Sequence, residues 1–289
     1  MNVDGSKLNE MGIVETSLKI VLFVEGRGYP MVLNDIVDMA TYPIGDPDFR
    51  AACKKTFDAQ GILAMPGFVS EPAVQSVIAE GNENRDKVFA STKQHTVYLS
   101  PQDPDFAADH PRNRLVVSSK GCITDDLMPQ ESALRTLYNA QVFRDFLCEV
   151  LGEKALYEYA DPLSSINLHF AEAGQELGWH FDNSSFAITL MFQAPEKGGQ
   201  FEYVSNVRDA DAGEMNYDAV GEVLDGRADV KQVNAEAGTL VFFRGRNSIH
   251  RVAPNEGDRT RMLAVLAYNT EPGVSLSEEA RMTFFGRTG

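Results

Sequence analysis

The chain has 289 residues, 43% of them hydrophobic and 24% charged, with a formal net charge of −16. That is the make-up of a globular protein long enough to bury a large core. So acidic a chain is not built for general binding to nucleic acid, which relies on clustered Lys and Arg releasing counterions, nor for an anionic membrane surface.

The opening segment, MNVDGSKLNEMGIVETS, is polar and acidic, and the apolar run after it, IVLFV (20–24), is too short to span a bilayer. Neither a signal peptide nor a membrane anchor is expected, and the protein is expected in the cytoplasm. Cys53, Cys122 and Cys148 are odd in number, lack CxxC spacing and read as reduced thiols.

Up to about residue 160 helical patterns dominate. DPDFRAACKKTFDAQG (46–61) opens with acids and closes on Gly61, as a capped helix does. GILAMPGFVS then reads as a strand or extended turn. SEPAVQSVIAEG offers Ser70 as N-cap, Pro72 in the first turn, and Val74, Val77 and Ile78 on one face. The segment 100–126 is rich in Pro, Asp and Gly and predicts a long loop, with DHPRNR (His110, Arg112, Arg114) either a lid or a solvated turn. Residues 130–152 predict the strongest helix: Phe143, Phe146, Leu147, Val150 and Leu151 share a face, and Gly152 ends it.

After residue 160 the character becomes β. SSINLHFAEAG, SFAITLMFQ, GGQFEYVSNV, GTLVFFRGR, SIHRVAP and TRMLAVLAYNT are short runs rich in β-branched and aromatic residues, divided by turn residues. A helical insertion, AGEMNYDAVGEVLDGRADV, interrupts them. The expectation is a mainly β, α+β protein: an antiparallel sandwich or barrel supported by N-terminal helices. One domain is expected, with helix-rich support and lid over 1–159, a β core over 160–270, and a tail over 271–289 whose strand-like MTFFG docks on the barrel.

LGWHFDNSSFAITLMF (177–192) places His180 and Asp182 two apart, so on an extended segment both side chains share a face. Alone, the pair is equally a hydrogen-bonded His–Asp couple. His250 follows 70 residues later in another β run, and Arg261 eleven residues after that. Two histidines and one carboxylate form the facial triad that leaves three positions of a non-haem Fe(II) ion open. An arginine one strand away suits the far carboxylate of a chelating 2-oxo acid. Arg259 shares Arg261's parity but lies nearer the turn NEGD, and Arg251 and Trp179, each beside a candidate ligand, should face away from it.

With WHFD, IHRV and RTR, residues 160–270 resemble the Fe(II)- and 2-oxoglutarate-dependent oxygenase superfamily. The resemblance implies a double-stranded β-helix (jelly-roll, cupin-like) core, His180, Asp182 and His250 as iron ligands, Arg261 as the 2-oxoglutarate anchor, and O₂ as second co-substrate. ELGWHFDNS, GGQFEYV and FRGRNSIHRV are most similar to a bacterial branch of hydroxylases and radical halogenases acting on free amino acids and related small metabolites. In its halogenases chloride replaces the carboxylate ligand, so Asp182 implies hydroxylation. The resemblance also places Asn167 near 2-oxoglutarate, unless its amide only satisfies a neighbouring strand. His169 reads as a satisfied core histidine and not as a fourth ligand. Asn183 and Ser184 could reach substrate or merely close a turn, and Arg244 and Arg246 could hold a substrate carboxylate or pair with surface acids. Arg114 is a further substrate candidate. Two other classes stay open: a cupin-like metal-binding barrel that is not an oxygenase, and an oxygenase acting on protein.

Overall fold

The computed structural model describes residues 31–289. The expectations for the N-terminal segment and for the run at 20–24 lie outside the described residues. Helices α1 (Leu33–Ile36), α2 (Pro47–Gln60), α3 (Glu71–Glu83), α4 (Ala133–Asn139) and α5 (Gln141–Leu151) precede most of the sheet, α6 (Tyr217–Leu224) interrupts it, and α7 (Glu278–Phe285) follows it. The strands are β1 (Ile62–Met65), β2 (Phe89–Thr96), β3 (Leu115–Ile123), β4 (Ile166–Ala171), β5 (Leu177–His180), β6 (Ala187–Gln193), β7 (Lys197–Gly198), β8 (Phe201–Val204), β9 (Lys231–Val233), β10 (Leu240–Phe243), β11 (Ile249–Val252), β12 (Asn255–Glu256) and β13 (Arg261–Leu266).

Local chemistry sets the helix ends. The Asp46 side chain accepts from the Phe49 amide with Pro47 in the first turn, and Ser70 accepts from Ala73, each filling an otherwise unpaired helix donor. Gly61 and Gly152 close α2 and α5 with φ of 70° and 79°, where a side chain would be strained.

The strands pair antiparallel in the order β1-β10-β6-β13-β4-β3-β5-β11-β8-β9, with β2 on the free side of β3 and β7 paired to β12. The sheet curls into a nearly closed barrel, a double-stranded β-helix. Its two ends approach where Ile62 of β1 and Val233 of β9 join one apolar cluster.

Alternation along the strands separates two environments. Leu168 and Phe170 on β4, and Ala264 and Leu266 on β13, face the helices and are fully buried with Phe57, Phe146 and Phe242 in the main core. The Phe57 and Phe146 rings meet Phe242 at centroid distances of 6.1 and 5.7 Å, so α2 and α5 clamp the outer face of β10. The opposite residues, His169, Thr189, Leu263 and Val265, point inward and are only half-buried although strands enclose them. Retained exposure inside a barrel marks a cavity. Across the barrel, Phe201, Tyr203, Val241 and Phe243 fill the space with a packed aromatic cluster.

Three sequence expectations change here. The expected long loop of 100–126 contains the whole of β3. The helix of 130–152 is two, broken at Ala140, whose extended backbone (ψ 121°) ends α4 and begins α5. The strand-like MTFFG of the tail is helical instead, in α7, which Ser277 caps and Gly286 closes.

Candidate metal centre

His180 ends β5, Asp182 lies just beyond it, and His250 sits on β11, which pairs with β5 so that the two histidines are direct cross-strand partners. The same local device orients both rings. His180 Nδ1 donates to the carbonyl of Gly178 at 2.7 Å, and His250 Nδ1 to that of Ser248 at 3.0 Å, each two residues back along its strand. A carbonyl only accepts, so both Nδ1 atoms carry a proton, and a neutral ring in this tautomer offers its Nε2 lone pair.

Those lone pairs converge on Asp182, whose Oδ1 lies 3.8 Å from His180 Nε2 and 3.5 Å from His250 Nε2. One ligand atom from each residue falls within a mutual 4.8 Å. Protonating His180 is not how the cluster is satisfied: burial, then the neighbouring His250, push its pKa down to about 3. Burial raises the Asp182 carboxyl, but the two histidines outweigh it and hold it below its ordinary range. Two imidazole nitrogens and a carboxylate oxygen facing one another at these distances fit a divalent cation. Asp182 Oδ2 is buried with no hydrogen-bond partner among the described residues.

The backbone makes room for that carboxylate. Asp182 N donates to Gly245 O at 3.1 Å, and a Cβ on Gly245 would come within 1.8 Å of Asp182 Oδ2. A further chain of hydrogen bonds backs His180. His95 Nδ1 donates to Thr96 O (2.9 Å), Ser118 Oγ meets His95 Nε2 (2.7 Å), and Gly178 N donates to Ser118 Oγ (3.0 Å).

Arg261 lies on β13 opposite Ala171 of β4, with the inward parity of Leu263 and Val265. Arg261 is 6% exposed, its Nε has no partner among the described residues, and burial lowers its pKa to about 10. A buried, partly unpaired guanidinium fits a carboxylate ligand. Lys120 on β3 stands beside His169 on β4, its Nζ 3.1 Å from His169 Nε2. His169 is not one of the three residues whose ligand atoms converge, and burial first, then Lys120 and Arg261, hold its pKa well below the ordinary value. Asn167, also inward on β4, donates from Nδ2 to Leu163 O at 2.8 Å.

The other sequence candidates scatter. Asn183 is exposed at the rim, and its carbonyl accepts from Arg246, whose guanidinium is paired with Asp211 at 2.6 Å. Arg244 points to the helical side, over the Phe57 ring and paired with Asp58 at 2.6 Å. Arg114 ties the start of β3 to the end of α6 through Asp225 and the Leu224 carbonyl. His110, from the expected lid, stacks on Phe106 and meets Tyr217 edge-on. Trp179 faces away from the triad beneath Arg251, which pairs with Glu202.

Sequence reasoning missed Gly245, Ser118, His95 and Lys120. Only Gly245 left a trace, in the FRGRN turn just before IHRV.

Comparison with known proteins adds the lineage. The chain matches the family described as Halogenase D over residues 46–283. No curated protein matches it in sequence. Among solved structures it is similar to SnoN, described as a non-heme alpha ketoglutarate dependent epimerase from nogalamycin biosynthesis, at 13% identity and TM-score 0.52 over 78% of this chain and 83% of that one. SnoK, described as a carbocyclase from the same biosynthesis, gives 14% and 0.52 over 80% and 89%. AviO1 from Streptomyces viridochromogenes gives 16% and 0.51 over 79% and 97%. At these identities the likeness establishes the shared fold. With the family matched across most of its length, the chain belongs to the Halogenase D family, built on the double-stranded β-helix of the 2-oxoglutarate–iron oxygenases.

Proposed function

We propose that the protein is an Fe(II)- and 2-oxoglutarate-dependent oxygenase that hydroxylates an unactivated C–H bond of a small amino acid or amino-acid-derived metabolite. The observation that carries this reading is the convergence of ligand atoms of His180, Asp182 and His250 within 4.8 Å of one another, in a barrel that also buries a guanidinium, Arg261, whose Nε has no partner among the described residues. Fe(II) held by His180, Asp182 and His250 would supply three open positions on which 2-oxoglutarate and O₂ react, giving succinate, CO₂ and hydroxylated product.

The chain's own residues do the rest. The Gly178 and Ser248 carbonyls hold both imidazoles in the tautomer that offers Nε2. Arg261 orients the 2-oxo acid from its far carboxylate, and the aromatic cluster of Phe201, Tyr203 and Phe243 excludes water from the side of His250. The net charge favours a small-molecule substrate over a polyanion, and the unpaired Cys53, Cys122 and Cys148 fit a reducing cytoplasm. No described helix is long and apolar enough to cross a membrane.

The family's description points to halogenation, a second reading. Asp182 weighs against it, because the carboxylate fills the position a halide would need. A cupin-like barrel with a purely structural metal leaves the unpaired Arg261 unexplained, and a protein substrate remains the other outcome of the test. Succinate release from 2-oxoglutarate, with Fe(II) under air, across a panel of free amino acids and derivatives, tests the proposal, with products taken to mass spectrometry. Substrate-stimulated succinate with a product heavier by one oxygen supports hydroxylation. A chlorinated product in the presence of chloride, or no turnover in iron-loaded protein, defeats it.

A further inference from the structure

Asp182 is the ligand that the sheet supports least. His180 and His250 lie within β5 and β11 and are held by the ladder between them, whereas Asp182 lies two residues beyond the end of β5. Its amide donates to the Gly245 carbonyl at 3.1 Å, and its Oδ2 has no hydrogen-bond partner among the described residues. The direction of this carboxylate therefore depends on what holds the two sides of that amide bond: Phe181 just before Asp182, and the turn Gly245, Arg246, Asn247 across from it.

One residue grips both sides. Arg208, in the segment 205–216 between β8 and α6, lays its guanidinium over the Phe181 ring, with Cζ 4.0 Å from the centroid. Its Nε donates at 2.8 Å to the carbonyl of Arg246, the residue after Gly245. Tyr98 stacks on Phe181 at 5.6 Å, and Phe181 joins Val207, Val220 and Val223 in a buried cluster. The turn is held again at its next residue, where the Asn247 carbonyl accepts from the amides of Val207 (2.8 Å) and Arg208 (3.3 Å).

Arg208 has no ion pair among the described residues. Its Nη1 meets only the Met215 sulfur, at 3.9 Å, and the neighbouring Asp211 pairs with Arg246 instead. In a chain with 42 acidic residues an arginine without one is placed for its shape. A planar guanidinium presents a face to a ring and an edge N–H to a carbonyl at the same time, a geometry that the point charge of a lysine does not fix.

We propose that Arg208 is a positioning residue for the metal centre, clamping the Phe181 ring to the Arg246 carbonyl so that the Asp182 carboxylate stays turned toward the two histidines. This rests on the metal-centre reading above, and not on which oxidation the centre performs. Arg208 acts through Phe181 and the turn, and it makes the segment 205–216 part of what shapes the centre.

Titration of Co(II) into the metal-free protein, followed by its visible absorption, tests this without turnover. The comparison is Arg112, which also lies over the Tyr98 ring, at 5.5 Å, but donates to the Pro101 carbonyl and not to the turn. Arg208→Met should weaken Co(II) about tenfold or more, as expected of a group that supports a metal ligand, while Arg112→Met changes it less than about twofold. The Co(II) absorption band of Arg208→Met should change with the displaced carboxylate. The metal-free variant should melt close to wild type, since methionine fills an apolar cluster well. Arg208→Lys keeps the charge but not the fork, so it should stay weakened, and it carries the comparison if the methionine variant does not fold. Wild-type affinity and absorption in the Arg208 variants, even with a lower melting temperature, overturn the clamp and leave the metal centre standing. So does an equal loss in the Arg112 and Arg208 variants, which would assign the effect to the aromatic cluster as a whole. No Co(II) binding by wild type overturns both readings.

Discussion

Gly245 lies against the carboxylate of Asp182 so closely that a Cβ there would come within 1.8 Å of Oδ2. Gly245 is not among the glycines with positive φ, so its lack of a side chain serves this contact and not a backbone turn. Gly245→Ala should leave the fold intact and displace the carboxylate from the two Nε2 atoms. We expect the affinity for Co(II), a spectroscopic stand-in for iron, to fall about tenfold or more, in the range found when groups that support a metal ligand are altered. Co(II) affinity equal to wild type would show that Asp182 does not need its observed position.

Asp182→Ala removes the carboxylate altogether. Two histidines then remain, and the charge that offsets a divalent ion is lost. Hydroxylase activity should drop to background, with Co(II) binding weakened further than in Gly245→Ala. Full activity in this variant without any added ligand would dismiss the triad.

Ser118 reaches the metal centre without touching it. Its Oγ sits between His95 Nε2 and the Gly178 amide, and the Gly178 carbonyl in turn fixes His180. In Ser118→Ala the amide loses its acceptor, and β5 is held less firmly just where it delivers a ligand. The expected result is about a 10–100-fold loss in metal affinity, with thermal stability of the metal-free protein nearly unchanged. Ser118→Thr, which keeps the hydroxyl, should restore most of it.

The triad was legible in the sequence because strand geometry obliges residues two apart to share a face, and His250 and Arg261 fall in runs with clear β composition. The inward face of β3 was not legible. Strand β3 turns Ser118, Lys120 and Cys122 inward and leaves Leu115 and Val117 exposed at 48% and 38%, the reverse of the usual apolar-inside alternation. Following the Pro- and Asp-rich stretch from residue 100, it reads as loop. The tail misled for a related reason: MTFFG has the β-favouring residues, but Ser277 and Gly286 cap a helix around them. Direction sets Arg244 apart from the other arginine candidates. Arg244 shares the parity of Phe242, so it faces the helices, a fact visible only once β10 is seen to have Phe57 and Phe146 on that side.

That direction makes Arg244 a negative control. Its guanidinium lies over Phe57 and pairs with an exposed Asp58, an ion pair of the kind that contributes little. Arg244→Ala should change 2-oxoglutarate affinity by less than about twofold, well under the 1.4 kcal/mol of a tenfold effect. A larger loss would place this side chain in the pocket.

The neutral His169 gives the metal-free protein a pH dependence whose sign follows from its pKa, held well below 6.5 by burial and by Lys120 and Arg261. Below about pH 6.5 the unfolded chain takes up a proton at this position that the folded protein refuses. More protons bound in the unfolded state means that stability falls as pH falls, by up to about 1.4 kcal/mol per pH unit in the limit for one such group. His180, lowered in the same direction, adds to the slope when no metal is bound. Urea unfolding midpoints of the metal-free protein should therefore decline between pH 7 and pH 5, and His169→Asn should flatten part of that decline. A midpoint independent of pH over this interval would mean that His169 already carries its proton in the folded state, and with it a third positive charge beside Lys120 and Arg261.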